Sequence, residues 1–145
     1  LVEHVNRFFG PEPLPQPDLS YYEAGYVGLW FMTDEAHITA IGTREADRRK
    51  GIGELLLLAS IEEGFRKGAR VVTLEARVSN HAAQELYFKY GFNKAGIRKG
   101  YYTDNREDAL VMTTDNLSSL VYRQRLELLR QEHARRWGES VRFLG

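Results

Sequence analysis

Three adjacent cations and a glycine pair, Arg48-Arg49-Lys50-Gly51-Ile52-Gly53, form the segment of this chain best suited to chemistry. The first turn of a helix leaves N–H groups without internal partners and carries partial positive charge, and glycine lets a ligand approach the backbone. A segment of this kind entering a helix therefore suits phosphate-type anions. The GxxxxGK[ST] spacing of a phosphate loop is absent, as is the second half of GxGxxG. Read alone, Gly-x-Gly ahead of a helix is equally an ordinary tight turn. Two further titratable groups stand out. Glu75 lies in an alternating segment, where a carboxylate reads by itself as a solvated charge, and Tyr87 lies on an apolar helical stripe, where it reads by itself as core. His37, His81 and His133 share no metal-ligand spacing and His4 lies in a segment without clear pattern, so no metal is expected. Cysteine is absent, which excludes disulfides, thiolate zinc sites and a cysteine nucleophile.

The elements that must position these residues follow from periodicity. Tyr26 to Met32, then a polar Thr33-Asp34-Glu35 turn, then His37 to Thr43, read as a β-hairpin rich in aromatic and β-branched residues. After Gly51 and Gly53 the step changes to three and four. Ile52, Leu55, Leu56 and Ala59, with Leu58, Ile61 and Phe65 on an adjoining stripe, predict a helix that Gly68 ends. Arg70 to Val78 alternates as a strand, with Val72, Leu74, Ala76 and Val78 on one face and Val71, Thr73, Glu75 and Arg77 on the other. Ser79 or Asn80 caps a second helix whose face carries Ala83, Leu86, Tyr87 and Tyr90 and which Gly91 ends. Phe92 to Arg98 and Ala109 to Thr114 form a last strand pair around the polar loop Lys99 to Asp108. From Asn116 on, Leu117, Leu120, Val121, Leu126 and Leu129 predict an amphipathic helix, with Arg123, Arg125, Arg130, Arg135 and Arg136 on its solvated faces. The order β-β-α-β-α-β-β gives a mixed α/β fold class, one domain over residues 1–115 and a helical extension over 116–145.

Composition bounds the function. The chain has 145 residues, 20 Lys plus Arg against 20 Asp plus Glu, and 43% hydrophobic residues, enough for a self-sufficient core. A balanced charge argues against direct DNA binding driven by bulk electrostatics. The longest apolar run, Leu55 to Ala59, is far from the roughly 18 residues of a membrane span, so no membrane partner is expected. Absent cysteine fits a reducing, cytoplasmic compartment. All four prolines fall within Gly10 to Pro17, GPEPLPQP, which predicts an extended loop inside an atypical first 25 residues.

Three segments together, DRRKGIGELLL, LEARVSNHAAQELYFKYGF and YYTDNREDALVM, resemble the GNAT superfamily of acyl-CoA-dependent N-acetyltransferases, in the family's order and over roughly Tyr26 to Thr114. Within it they resemble the RimI-type enzymes, which acetylate the N-terminal alanine of a ribosomal protein. The resemblance implies a central mixed sheet flanked by helices and acetyl-CoA as cosubstrate. It implies that Arg48 matches the first position of Gln/Arg-x-x-Gly-x-Gly/Ala and that backbone amides of Arg49, Lys50, Gly51, Ile52 and Gly53 bind the diphosphate. It further implies that the strand before this loop splays from its neighbour and pairs with the pantetheine arm at Ile41, Gly42 and Thr43, where a backbone amide polarises the thioester carbonyl. By the same resemblance Asn80 contacts the cofactor arm, Glu75 is the general base, Tyr87 is the acid that protonates the departing thiolate, and Tyr101 and Tyr102 line the peptide groove. The implied acceptor is a protein N-terminus.

The chain departs from the family at its start. Members begin with a strand, two helices and a second strand, so Leu1 and Val2 are expected to end that second strand, Glu3 to Tyr22 to be a long insertion, and the two helices to be missing or supplied elsewhere. Two alternatives stay open: a GNAT enzyme for a small amine or a lysine side chain, and a noncatalytic acyl-CoA-binding module.

Overall fold

Strand-forming residues on either side of a polar turn build the first hairpin. The computed structural model describes residues 23–142. β1 (Gly25–Met32) and β2 (Glu35–Thr43) pair antiparallel from Met32↔Glu35 to Gly25↔Thr43, and Thr33 takes a positive φ of 49° in the tight turn between them. The register shifts between Gly28 and Leu29, where Thr39 of β2 is the extra residue of a bulge. The expectations for Leu1, Val2, Glu3 to Tyr22 and the proline-rich loop at Gly10 to Pro17 lie outside the described residues.

A short 3-10 turn, Glu45–Asp47, and the loop through Gly51 lead into helix α1 (Ile52–Arg66), which supplies the crossover that parallel neighbours require. β3 (Val71–Arg77) follows, parallel to β2. Helix α2 (His81–Lys89), β4 (Phe92–Arg98), β5 (Ala109–Thr114) and helix α3 (Leu120–Trp137) complete the order. The sheet is mixed, with order β1-β2-β3-β5-β4; β5 pairs antiparallel with both β3 and β4. This is the mixed α/β sheet flanked by helices that the sequence predicts.

Two helical stripes differ in part from expectation. In α1 the fully buried residues are Leu56, Leu57, Leu58, Ser60, Ile61 and Gly64, whereas Phe65 is 42% exposed. The arc is wide because α1 packs against both the sheet and the segment leading into α3: a Cβ on Gly64 would touch the Val72 and Ala36 side chains of the sheet and the Leu117 side chain of that segment at 3.3–3.5 Å. Ser60 is accommodated by donating its hydroxyl to the Leu56 carbonyl at 2.8 Å. In α3 the buried residues are Tyr122 and His133, with Leu126 and Leu129 packed against the core, while Leu120 and Val121 are exposed. Leu126 and Leu129 face inward as expected, and Tyr122 and His133, not Leu120 and Val121, complete the stripe at helical spacing.

α3 docks on the sheet domain. The Tyr122 hydroxyl donates to the Tyr90 carbonyl at 2.9 Å, and its ring fills the space where a Cβ on Gly91 would sit. Arg125 donates to the Phe88 and Lys89 carbonyls at 3.2 and 3.1 Å, satisfying the open end of α2. No helix among the described residues is long and apolar enough to cross a membrane.

Candidate active site

The ladder between β2 and β3 joins three residue pairs, Glu35↔Val71, Ala36↔Val72 and His37↔Thr73, and then lapses. Beyond it β2 continues to Thr43 paired with β1, and β3 continues to Arg77 paired with β5. The two strands therefore diverge, and the side of β2 carrying Ile41, Gly42 and Thr43 faces a gap in the sheet. The glycine loop lies at the far end of that gap: Thr43 Oγ1 is 4.0 Å from where a Cβ on Gly53 would stand.

The loop itself is shaped for an anion. Arg49 (φ 62°) and Gly51 (φ 76°) both turn left-handed, and Gly51 caps α1 with no side-chain acceptor for the first helical amides. Among the described residues, no backbone N–H from Arg49 to Glu54 pairs with a backbone carbonyl; the first amide of α1 to do so is Leu55, which donates to the Gly51 carbonyl at 3.0 Å. Arg48, Arg49 and Lys50 are exposed around it, with Lys50 Nζ 3.4 Å from the buried Asp47. A row of open amides at a helix N-terminus, ringed by cations, fits a diphosphate.

Glu75 stands just past the last β2–β3 pair, where the gap opens. One of its oxygens is 2.8 Å from His37 Nε2 and the other accepts from Arg98 Nη1 at 3.1 Å. His37 Nδ1 is 2.7 Å from Thr73 Oγ1, which fixes the ring in its plane. A carboxylate offers about four lone-pair directions, so two partners leave Glu75 able to accept a further proton. Sequence reasoning weighed His37 only as a metal ligand; what links it to Glu75 is the pairing of β2 with β3, which local sequence does not encode.

Tyr87 is buried on α2 with its ring 5.9 Å from Phe92, and its hydroxyl has no hydrogen-bond partner among the described residues. Burial raises its pKa above the ordinary tyrosine range, and nearby Tyr102 adds to the shift. Tyr102 is itself raised, by burial first, against the lowering effect of Arg77, with Tyr101, Glu75 and Glu107 adding to the rise. Tyr102 thus lies within electrostatic reach of both Glu75 and Tyr87, and the loop between β4 and β5 brings it there.

Arg77 holds that loop. Its guanidinium donates to Asp104 at 2.9 Å, Asn105 at 3.1 Å and Glu107 at 3.3 Å, and lies 4.0 Å from the Tyr102 ring centroid. Tyr101 meets Tyr102 edge-on at 5.1 Å and is half-exposed below Arg98, 5.2 Å away. Arg77 is a second residue that sequence reasoning missed, although it follows Glu75 by two and so shares its strand face. Asn80 serves the helix that it opens. Its Oδ1 accepts from the Ala83 amide at 3.2 Å and caps α2, leaving its NH2 group as a donor. Among the described residues no group of three His, Asp or Glu side chains is placed to hold a metal.

The sequence model of the acetyltransferase (GNAT) family matches residues 22–92. A Bacillus subtilis (strain 168) protein, named provisionally as a [ribosomal protein bS18]-alanine N-acetyltransferase, is 51% identical over 89 residues, 61% of this chain and 59% of that protein. The crystal structure of the ribosomal-protein-S18-alanine N-acetyltransferase from Escherichia coli matches with a TM-score of 0.61 at 39% identity, over 66% of this chain and 63% of that one. A GNAT family acetyltransferase from Elizabethkingia anophelis, solved with acetyl-CoA bound, shares the fold with a TM-score of 0.62 at 24% identity, over 68% of this chain and 72% of that one. The chain spans less than two thirds of the length of the first two.

Proposed function

The chain belongs to the GNAT acetyltransferase family, and from that premise we propose that it is an acetyl-CoA-dependent Nα-acetyltransferase. Its acceptor in this reading is the N-terminal amine of a protein, a ribosomal protein beginning with alanine, as in the names of the Bacillus subtilis and Escherichia coli proteins it is similar to. The observation that carries the reading is the gap between β2 and β3, with Glu75 at its mouth and the open amides of Arg49 to Glu54 at its end. A long ligand with an anionic end suits that shape, and the Elizabethkingia anophelis neighbour of the same fold holds acetyl-CoA.

Acetyl-CoA, when bound, supplies an acyl group activated as a thioester. The residues of the chain then divide the remaining work. Amides of Arg49 to Gly53 hold the diphosphate, with Arg48 to Lys50 adding charge. Open backbone groups at Ile41, Gly42 and Thr43 pair with the pantetheine arm and direct an N–H at the carbonyl oxygen. The NH2 of Asn80 adds a contact to the arm. Glu75 accepts the proton that the amine loses as it attacks, and His37 and Arg98 keep that carboxylate oriented. Tyr87 donates its proton to the departing sulfur. Tyr101 and Tyr102 line the acceptor groove.

Proton economy favours an N-terminal amine. With a reference pKa near 8, deprotonating it at pH 7 costs about 1 kcal/mol, against over 4 kcal/mol for a lysine near 10.4. A carboxylate at the mouth of the gap suffices for the former.

Acetyl transfer to peptides with free N-terminal Ala, Ser or Met, each also carrying a lysine and read by product mass spectrometry, tests the reading. The expected product carries acetyl on the N-terminal nitrogen, most readily on Ala. Acetyl found on the lysine instead moves the acceptor to a side-chain amine. Glu75→Gln and Tyr87→Phe should each lower kcat/KM by roughly 100-fold or more; undiminished turnover in both refutes the roles given to them.

A further inference from the structure

α3 follows the last strand after a short connection and, by its contacts at both ends, runs antiparallel to α1. At one end Arg123 lies 4.6 Å from the Phe65 ring, near the C-terminus of α1. At the other, the last turn of α3 reaches the glycine loop at the N-terminus of α1. Two side chains make that contact. His133, buried, places Nε2 2.8 Å from the Gly51 carbonyl oxygen. Trp137 lays its ring against Gly51, so that a Cβ there would meet Cδ1 and Nε1 at 2.5 Å. Arg136 in turn covers the Trp137 ring at 5.0 Å, and Arg142 pairs with Glu62 beyond the helix end.

The peptide unit is planar and trans, so its carbonyl and the following N–H point in opposite directions. The Gly51 carbonyl accepts from His133 and from the Leu55 amide together. Holding that oxygen from two sides therefore sets the direction of the Ile52 N–H, one of the open amides of the loop. Trp137 complements this hold, since its ring restricts the backbone of Gly51, the left-handed residue on which the loop turns.

We infer that the last turn of α3 is part of the cofactor-binding machinery: His133 and Trp137 are positioning residues that fix the diphosphate loop, so a helix end downstream of the sheet sets affinity for the nucleotide. The inference rests on the acetyl-CoA reading above. It separates binding from chemistry, because α3 acts on the loop at the end of the gap and not on Glu75 or Tyr87 at its mouth.

The test uses the full chain, with acetyl-CoA affinity measured by calorimetry and kcat measured with the N-terminal alanine peptide at saturating cofactor. His133→Ala and Trp137→Ala should each raise the acetyl-CoA Kd about fivefold or more, the size of one net hydrogen bond or its packing equivalent, with kcat within about twofold. His133→Gln, which keeps an N–H donor, should recover most of the affinity. Leu126→Ala, on the same helix but packed on the core, should lower Tm and leave Kd unchanged. Should an alanine variant fold poorly, Trp137→Phe and His133→Asn are read in its place, with graded rises in Kd expected. Unchanged Kd in both position variants, or an equal rise in Leu126→Ala, overturns the inference alone. A wild-type chain that binds no acetyl-CoA overturns the reading of function and the inference together.

Discussion

Burial and the neighbouring Tyr102 keep the Tyr87 hydroxyl protonated to higher pH than an ordinary tyrosine, which suits a group proposed to donate to a thiolate. Because the raised pKa moves its titration upward, kcat should show no descending limb from Tyr87 up to about pH 10, the reference value for tyrosine; a pH–rate profile compared with Tyr87→Phe checks this. At the other end of the proposed proton path, His37 Nε2 meets the Glu75 carboxylate across strands, the two residues 38 positions apart in sequence. Removing it in His37→Ala leaves the carboxylate held by Arg98 alone. A hydrogen bond to a charged group contributes about 1.5–3 kcal/mol, so kcat is expected to fall roughly tenfold or more with acetyl-CoA affinity retained, by steady-state kinetics. At this scale the sequence was legible unevenly. Glu75 and Tyr87 emerged from the family resemblance, since strand alternation and a helical stripe gave them only solvated and core roles. His37 and Arg77 did not emerge, because their partners arrive through strand pairing and a distant loop.

The loop between β4 and β5 is an element held by charge rather than by a core. Glu107 accepts from the Ser79 amide at 2.8 Å and from Arg77, and these partners draw its pKa down to about 2. A folded-state pKa below the ordinary 4.5 means its contribution is complete above about pH 4.5 and is lost as pH falls toward 2. Tyr101 and Tyr102 should therefore loosen in that acid window, read as a change in tyrosine NMR line shape, and Glu107→Gln should show the loosened state already at neutral pH. The N-terminus of α2 separates structure from binding in the same way. Asn80→Ala should cost about 1 kcal/mol of stability by loss of the cap and also weaken acetyl-CoA binding, whereas Asn80→Ser should keep the cap and lose the contact; thermal unfolding and calorimetry on both variants distinguish the two roles. Strands and helix ends were the most legible elements, because period-two alternation, Asn80 and the glycines at 51, 68 and 91 mark them locally. The phase of α1 was less so: Leu57, Ser60 and Gly64 are buried although they lie off the apolar stripe, Gly64 against Val72 and Ala36 of the sheet and Leu117 of the segment before α3.

At the scale of the molecule, α3 turns what reads as a tail into a third layer joining the end of α2 to the start of α1. Glu54 strengthens the same junction, accepting from Lys89 at 2.7 Å and Tyr90 at 3.0 Å. Gly91 is a point where the layers meet, left-handed at φ 85° with the Tyr122 ring 2.5 Å from a would-be Cβ. Gly91→Ala should therefore lower stability by about 1–3 kcal/mol through backbone strain and overpacking, measured by chemical denaturation. Sequence predicted this helix and its inward Leu126 and Leu129 but set Leu120 and Val121 beside them, since apolar residues alone do not reveal that Tyr122 and His133 are drawn inward by backbone carbonyls. All three scales converge on one geometry, a sheet opened between β2 and β3 and ended by a row of amides that no backbone carbonyl among the described residues takes up. An amide-resolved NMR titration of the intact chain with acetyl-CoA tests that geometry most directly. Saturable shifts concentrated at Arg49 to Glu54 and at Ile41 to Thr43 are expected; shifts confined to other surfaces, or none at millimolar ligand, would contradict it.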